Sequence, residues 1–443
     1  PYTTLFHLTH LPIKRVKYKK YKHKKSPWIT QAIIKSIKRR DDMYKASKRL
    51  NPESIEFQTL NTNLHTYNNI LKKSIFIAKK EYYKRCFDKY KNDIKNTWMT
   101  INSILNRLKK KCNFPDTFKI DGNIISEKTD IAQGFNNFFT SIGPNLASKI
   151  CISSTRTFND YLKFPTHHKF KFSPITEETV INIIDSLKAK GSQGFDRLST
   201  NLLKYIKLDI SKAITLIVNQ SLKTGIFPDL LKIAKVLPIY KKGDSAALDN
   251  YRPISILPAI SKVFERVIFN QVHQYFKQND LYFDSQYGFR ECHSTELASY
   301  ELIDRILLHM EKGEVPMNIY MDLSKAFDTL DHDILLHKLS YYGIKDTALN
   351  LFASYLTNRK QYVVIEDVES SHNDILTGVP QGSILGPLLF IIYINDIPSA
   401  STYFKFVIYA DDTTLFSTLT CFELPNSGDI STMINRELDK ICT

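Results

Sequence analysis

From Glu53 to Phe114 the chain holds neither Pro nor Gly, and its apolar residues recur at helical spacing. Leu64, Tyr67, Leu71, Ile75, Ala78 and Tyr82 form one stripe, which continues with a slight drift through Phe87, Tyr90, Ile94 and Trp98. That spacing predicts one long helix or two stacked ones, basic on the open side. Ahead of it Ile29, Ile33, Ile37 and Tyr44 repeat in the same way, ending before Asn51-Pro52. Beyond Asn113-Phe114-Pro115 the pattern changes. Asp121-Gly122 reads as a hairpin turn. Phe135, Phe138, Phe139 and Ile142 predict a short amphipathic helix stopped by Gly143-Pro144. Residues 150–172 are polar and irregular. Ile181, Ile184 and Leu187 lie on one helical face, a loop carries Gly191 and Gly194, and a second helix runs through Leu202, Leu203 and Ile206.

The second half alternates strands and helices. Strands are predicted at 235–240 and 250–255, joined by the basic tip Lys241-Lys242-Gly243-Asp244. Helices follow at 261–279 and 294–313. A strand then ends at Asp322, a helix spans 332–342, and two strands lie at 361–365 and 373–377. Gly378-Val379-Pro380-Gln381-Gly382-Ser383 opens an apolar helix, and a last hairpin follows around Tyr409. This order predicts an α+β fold: a split antiparallel sheet with helices on one face, preceded by a helical basic linker.

Three acids sit where apolar runs end. Asp322 closes Ile319-Tyr320-Met321, while Asp411 and Asp412 follow Phe406-Val407-Ile408-Tyr409-Ala410. A plain Asp-Asp surface turn is one reading of the pair, since Asp favours turns. The other takes all three together. Like charges among apolar strands are costly unless a cation compensates them. Hard divalent ions bind through a few carboxylates plus substrate phosphates. A pair of such ions suits in-line nucleotidyl transfer, with one at the attacking hydroxyl and one at the leaving phosphates. A Lys241 or Lys242 side chain with Arg252 on a neighbouring strand could cradle a triphosphate, because the planar Arg fork meets phosphate oxygens in pairs. Gly382 lacks a Cβ, which lets backbone approach a ligand closely.

The net charge of +16 lies at one end: residues 1–100 carry +17, and the remainder −1. The peak is Lys14, Arg15, Lys17, Lys19, Lys20, Lys22, Lys24 and Lys25, with Tyr18 and Tyr21 among them. Lysines for phosphates and rings for stacking suit non-specific nucleic-acid binding; a solvated arm or nuclear-import signal is the blander alternative. The six cysteines include no CxxC pair, so neither a thiolate zinc site nor a redox motif is supported, and a reducing compartment fits. The strongest apolar run, Leu388 to Ile394, is far short of the roughly 20 residues of a membrane helix, and no membrane role is expected.

The motifs together resemble the reverse transcriptases of non-LTR (LINE-type) retrotransposons, most like the jockey and CR1 group. The resemblance is carried by Pro238-Ile239-Tyr240-Lys241-Lys242-Gly243-Asp244 with Asn250-Tyr251-Arg252-Pro253-Ile254-Ser255; by Gln286-Tyr287-Gly288-Phe289-Arg290; and by Asp322-Leu323-Ser324-Lys325-Ala326-Phe327-Asp328. Gly378-Val379-Pro380-Gln381-Gly382-Ser383 and Tyr409-Ala410-Asp411-Asp412 complete the set. Residues 134–144 are similar to the family's extension ahead of the fingers. The resemblance implies right-hand fingers and palm: a basic, largely helical linker over 1–113, an extension and the start of the fingers over 114–235, fingers over 236–317, a palm over 318–420, and the start of a post-palm region over 421–443.

The family pattern also implies roles. Asp322, Asp411 and Asp412 would hold two Mg²⁺ ions, with Mn²⁺ as a substitute. Phe327 would be the sugar gate against ribonucleotides. Gln381 and Gly382 would contact the incoming nucleotide, and Arg252 with Lys241 or Lys242 would neutralise its triphosphate. Lys325 and Asp328 would hold their loop together by hydrogen bonds. The implied activity is RNA-directed DNA polymerisation on an RNA template and DNA primer with dNTPs, in the nucleus where a nicked target primes the copy. The family continues with a lysine-bearing motif and a helical thumb, and the chain reaches Thr443 near the start of that region, so little or no extension by this piece alone is expected. Two other readings stand beside it: a group II intron or telomerase-type enzyme, and an inactive nucleic-acid-binding remnant.

Overall fold

A computed structural model describes residues 26–91, 93–105, 114–120, 122–149, 158–162, 166–419 and 427–442. The basic run at 14–25 and the residue at 121 lie outside them. The chain divides into two compact units at Asn113/Phe114.

Among its described residues the first unit contains the helices α1 (Gln31–Ser47), α2 (Ile55–Lys89) and α3 (Ile94–Ile104). Thr30, Ser54 and Asp93 cap them by accepting a backbone N–H three residues on, which satisfies one of the orphan donors at each helix start. Of the predicted stripe, Leu64 and Leu71 are buried, while Tyr67, Ile75, Tyr82, Phe87 and Tyr90 are half-buried. The continuation into Ile94 and Trp98 fails: they are 77% and 58% exposed. The helix breaks between Tyr90 and Asp93, and the restart turns these two side chains outward.

The second unit begins with the hairpin β1 (Phe118–Ile120) and β2 (Asn123–Ile125), turned at Gly122 with φ +80°. Helix α4 (Lys128–Ala147) follows. It does not stop at Gly143-Pro144. Pro144 removes one donor, yet the Ser148 N–H still bonds the Pro144 carbonyl, so the last turn closes. The helices α5 (Glu177–Ser186), α6 (Thr200–Tyr205) and α7 (Lys207–Thr224) lead to β3 (Ile233–Tyr240) and β4 (Tyr251–Ile256). Then come α8 (Ala259–Gln278), α9 (Thr295–Glu311), β5 (Val315–Asp322), α10 (His332–Tyr341) and α11 (Asp346–Leu356). The chain continues through β6 (Arg359–Ile365), β7 (Val368–Glu369), β8 (Asn373–Ile375), α12 (Leu385–Tyr393), β9 (Lys405–Tyr409), β10 (Asp412–Leu419) and α13 (Ser427–Cys442).

The fold is α+β, but its strands form separate sheets and not one split sheet. One is three-stranded and antiparallel, ordered β5-β10-β9; the larger runs β4-β3-β6-β7 with β8 also on β6. Within the larger sheet β3 and β6 are parallel, Ile233 opposite Lys360. Parallel neighbours need a long crossover, and here α8 through α11 supply it. Helices also cover both faces of the small sheet. Leu415, Phe406 and Ile408 on one face join the main core with α8, α11 and α12. On the other face the Phe416 ring meets His309 of α9 at 5.3 Å. A second core lies between α4 and the larger sheet, where the rings of Phe118, Phe135 and Tyr251 pack within 5.0–5.7 Å of one another.

Candidate active site

The antiparallel register sets the site. Asp412, first residue of β10, is the direct partner of Asp322, last residue of β5. Asp412 also faces Tyr409, so Ala410 and Asp411 form a two-residue turn. Such turns need a left-handed residue to match the strand twist, and Ala410 supplies it at φ +57°. For a residue with a Cβ this conformation costs about 1–2 kcal/mol. Asp322 and Asp412 are exposed and Asp411 is half-buried.

The turn is held from outside the sheet. The buried Gln286 accepts the Ala410 N–H at 3.1 Å and the Gly288 N–H at 2.7 Å, both on Oε1. The Tyr287 N–H donates to the Ile408 carbonyl, and the Ile408 N–H to the Ser285 carbonyl. A Cβ on Gly288 would lie 2.1 Å from the Ala410 nitrogen, so no other residue fits there. Sequence reasoning used Gln286-Tyr287-Gly288 only as a motif. Nothing in the spacing of these residues marks their contact with Ala410.

The Gly378–Ser383 loop is tied to four neighbours. Its Val379 and Gly378 N–H groups donate to the Phe327 and Leu330 carbonyls, each at 2.8 Å. His332 Nε2 donates to the Gly378 carbonyl at 2.8 Å; burial lowers the pKa of this ring, which favours its neutral form. The Ser255 N–H on β4 donates to the Gln381 carbonyl at 2.8 Å. Gly382, at φ +127°, passes so close that a Cβ would sit 2.5 Å from the Ser255 oxygen. Its lack of a side chain thus serves a contact with β4. At the helix end of the loop, Ser383 Oγ accepts the Gly386 N–H, and the fully buried Glu265 accepts Ile384 and Leu385 N–H on Oε2. Burial raises the Glu265 pKa, opposed by these bonds and the nearby Arg359 charge.

Other candidate residues sit around this frame. Phe327 is half-buried, its ring stacked on Phe390 at 4.8 Å and edge-on to Phe289 at 6.0 Å. Arg252 is exposed on β4, opposite Ile239, and its face also carries the exposed Ile254. Lys241 and Lys242 are exposed just past the end of the strand pair. At strand rise Lys241 is roughly 17 Å and Lys242 roughly 20 Å from Ser255 and the Gln381 loop. Between the loop and α4 a cavity of ≈ 30 Å³ is lined by Thr140, Ser255, Asp328, Gln361 and Gln381.

Among the described residues no three Asp, Glu, His or Cys side chains are drawn together as a metal site. The donor set still fits a hard divalent ion: Asp322 and Asp412 are oxygen donors on directly opposed residues, and like charges so placed repel unless a cation lies between them.

Residues 239–422 match the model of the family described as reverse transcriptase (RNA-dependent DNA polymerase). That stretch is a reverse transcriptase domain. It contains the Asp322–Asp412 pair, the Gln381 loop, and the Gln286 and Arg252 segments. The chain is 32% identical over 276 residues to a probable RNA-directed DNA polymerase from transposon BS of Drosophila melanogaster, 59% of this chain and 30% of that protein. It is 30% identical over 273 residues to the RNA-directed DNA polymerase from mobile element jockey of the same fly, 60% of this chain and 30% of that protein. A probable polymerase from transposon X-element is 31% identical over 251 residues, covering 54% of this chain and 27% of its own length. The chain therefore spans about 30% of the length of these relatives. All of these relatives come from mobile elements, jockey among them.

Proposed function

We propose that this domain copies RNA into DNA by two-metal nucleotidyl transfer, with residues 318–420 as palm and 236–317 as fingers. The observation that carries the reading is the register that sets Asp322 opposite Asp412, with Asp411 in the turn between strands. When bound, Mg²⁺ ions on these carboxylates would activate the primer 3′-hydroxyl and neutralise the leaving pyrophosphate. The protein's own part is positioning. Gln286 fixes the turn before Asp411, and the Ser255 contact joins the Gln381 loop to the β3–β4 strand pair. Arg252 on that pair takes the triphosphate, with Lys241 and Lys242 in reach of its outer phosphates. Phe327, packed on Phe390, offers its free edge beside the sugar and excludes a 2′-hydroxyl. Residues 14–25 add non-specific nucleic-acid affinity, so neutralising those lysines flattens the salt dependence of binding. The template is RNA, the primer DNA, and the site of action the nucleus.

The metal site is tested without polymerisation. Fe²⁺ replaces Mg²⁺, and peroxide with ascorbate then cuts the backbone near the bound ion. Cuts are expected around 322 and around 410–412, suppressed by excess Mg²⁺ and abolished by Asp322→Asn or Asp411→Asn. Cutting at neither segment, or cutting that survives both substitutions, would refute the assignment. Primer extension with dNTPs on an RNA template tests the activity itself.

A further inference from the structure

The side chain of Gln381 has a partner of its own. Its Nε2 donates to both carboxylate oxygens of Asp328, at 2.9 and 2.8 Å. A carboxylate only accepts. The Gln381 NH₂ must therefore face Asp328, and its Oε1 must face the other way. Asp328 is itself fixed. Its carbonyl accepts Thr377 Oγ1 at 3.2 Å, its N–H donates to the Lys325 carbonyl at 2.8 Å, and α4 packs Gly143 against the same carbonyl. An amide at this position could otherwise present either a donor or an acceptor to a nucleotide, since its two ends are nearly the same shape.

We propose that Asp328 is a positioning residue that locks the Gln381 amide with its carbonyl oxygen toward the incoming nucleotide, so that the site offers an acceptor there. This rests on the polymerase reading above. Asp328 lies six residues past Asp322 in the sequence and is not one of the proposed ligands. Its effect on the reaction passes through Gln381 alone.

The test is an exchange of the two groups. In Asp328→Asn the residue can donate as well as accept, and the Gln381 amide is free to turn over. In Gln381→Glu two carboxylates face each other. In the double variant Asp328→Asn with Gln381→Glu, the Asn NH₂ donates to the Glu carboxylate, the net charge is that of the wild type, and an oxygen again points outward. The measurements are KM and kcat for dNTP on the full chain, and the rise in melting temperature produced by dNTP with Mg²⁺. Each single variant is expected to raise KM about tenfold or more, as loss of a charge-assisted hydrogen bond implies, with a smaller change in kcat. The double variant is expected to recover to within a few-fold of the wild type. A residue that merely supports the fold would give the opposite result, with the two losses multiplying in the double variant, and that would overturn the proposal. If the wild-type chain showed neither extension nor stabilisation by dNTP, the polymerase reading would fall, and this proposal with it.

Discussion

Helix α4 contains two glycines, and the same substitution is predicted to have opposite effects at each. Placing Ala for Gly in a helix interior gains about 1 kcal/mol from backbone entropy. What opposes this is the space. At Gly134 the new Cβ would lie 2.3 Å from Ile120 Cδ1, the far end of a flexible side chain that can turn away. At Gly143 it would lie 1.9 Å from Thr377 Oγ1 and 2.7 Å from the Asp328 carbonyl oxygen. The hydroxyl can rotate, but the carbonyl is fixed by the loop it belongs to. Overpacking of this sort costs about 1–3 kcal/mol, and an Ala before Pro144 adds strain of the same sign. Gly134→Ala should therefore be neutral or stabilising, and Gly143→Ala destabilising by about 1–2 kcal/mol, a fall of a few degrees in melting temperature. Denaturant unfolding of both variants measures this directly. The Pro144 contribution is separated by adding Thr377→Ala to Gly143→Ala: relief of the Oγ1 contact should recover part of the loss, which a purely pre-proline effect would not. A Gly143→Ala chain as stable as Gly134→Ala, or no recovery on adding Thr377→Ala, would refute the reasoning. Because Asp328 holds Gln381, Gly143→Ala should also raise the dNTP KM, while Gly134→Ala should not.

Three further outcomes follow from the same geometry. Glu265→Leu removes the acceptor for the Ile384 and Leu385 N–H groups at the start of α12, so a loss of about 1–3 kcal/mol in urea unfolding is expected from the buried donors left without a partner; an unchanged midpoint would show that these bonds contribute nothing to stability. Burial pushes the Asp196 carboxyl up to about 6, against 3.8 for the free group. The folded state thus holds the proton more tightly, and stability should fall by at most about 3 kcal/mol as pH rises from 4 through 6; Asp196→Asn should remove that slope, and a parallel pH curve for the variant would disprove it. Phe327→Val should raise kcat/KM for rNTP relative to dNTP on an RNA template, with some loss of stability from the lost stacking on Phe390; an unchanged ratio would make Phe327 a packing residue only.

The motif-bearing segments were legible because each couples an apolar run to a polar end. Asp322 and Asp412 stand out as charges closing strands, and the Phe135–Phe139 stripe as a helix face. Pairings between distant segments were not legible. Nothing in residues 233–236 or 360–363 tells that they lie side by side and parallel, since register there comes from how α8 to α11 pack. Helix α4 passes through Pro144 because only one donor is lost near its end, where the chain has a turn left to make. Helix α7 was missed although its buried Ile214, Val218 and Leu222 have helical spacing; there the signal was present. The Gln286 support for Ala410 had no signal in spacing at all, because a buried glutamine and a left-handed alanine are ordinary residues until the fold brings them together.

The frame of the proposed site is therefore not contained in the segment that carries its acids. The turn before Asp411 is held by residues 285–288, the Gln381 loop by Ser255 on β4, and the floor beneath that loop by α4 through Gly143. The proposed division into extension, fingers and palm follows the motifs along the chain, but each support crosses those lines. Helix α4 makes the strongest case. Its Ile131, Phe135 and Phe139 share a core with Ala234, Val236, Tyr251 and Val363 of the larger sheet, so a chain lacking residues 1–147 would expose that apolar face to water. Burying side chains of this size contributes about 1.5–3 kcal/mol each, in sum comparable to the usual margin of a folded domain. Residues 148–443 alone should therefore be poorly soluble and bind the dye ANS, even though all three acids and the Gln381 loop are present. A soluble, cooperatively melting 148–443 chain stabilised by dNTP as well as the full chain would show that α4 is an appendage and that the loop stands without it.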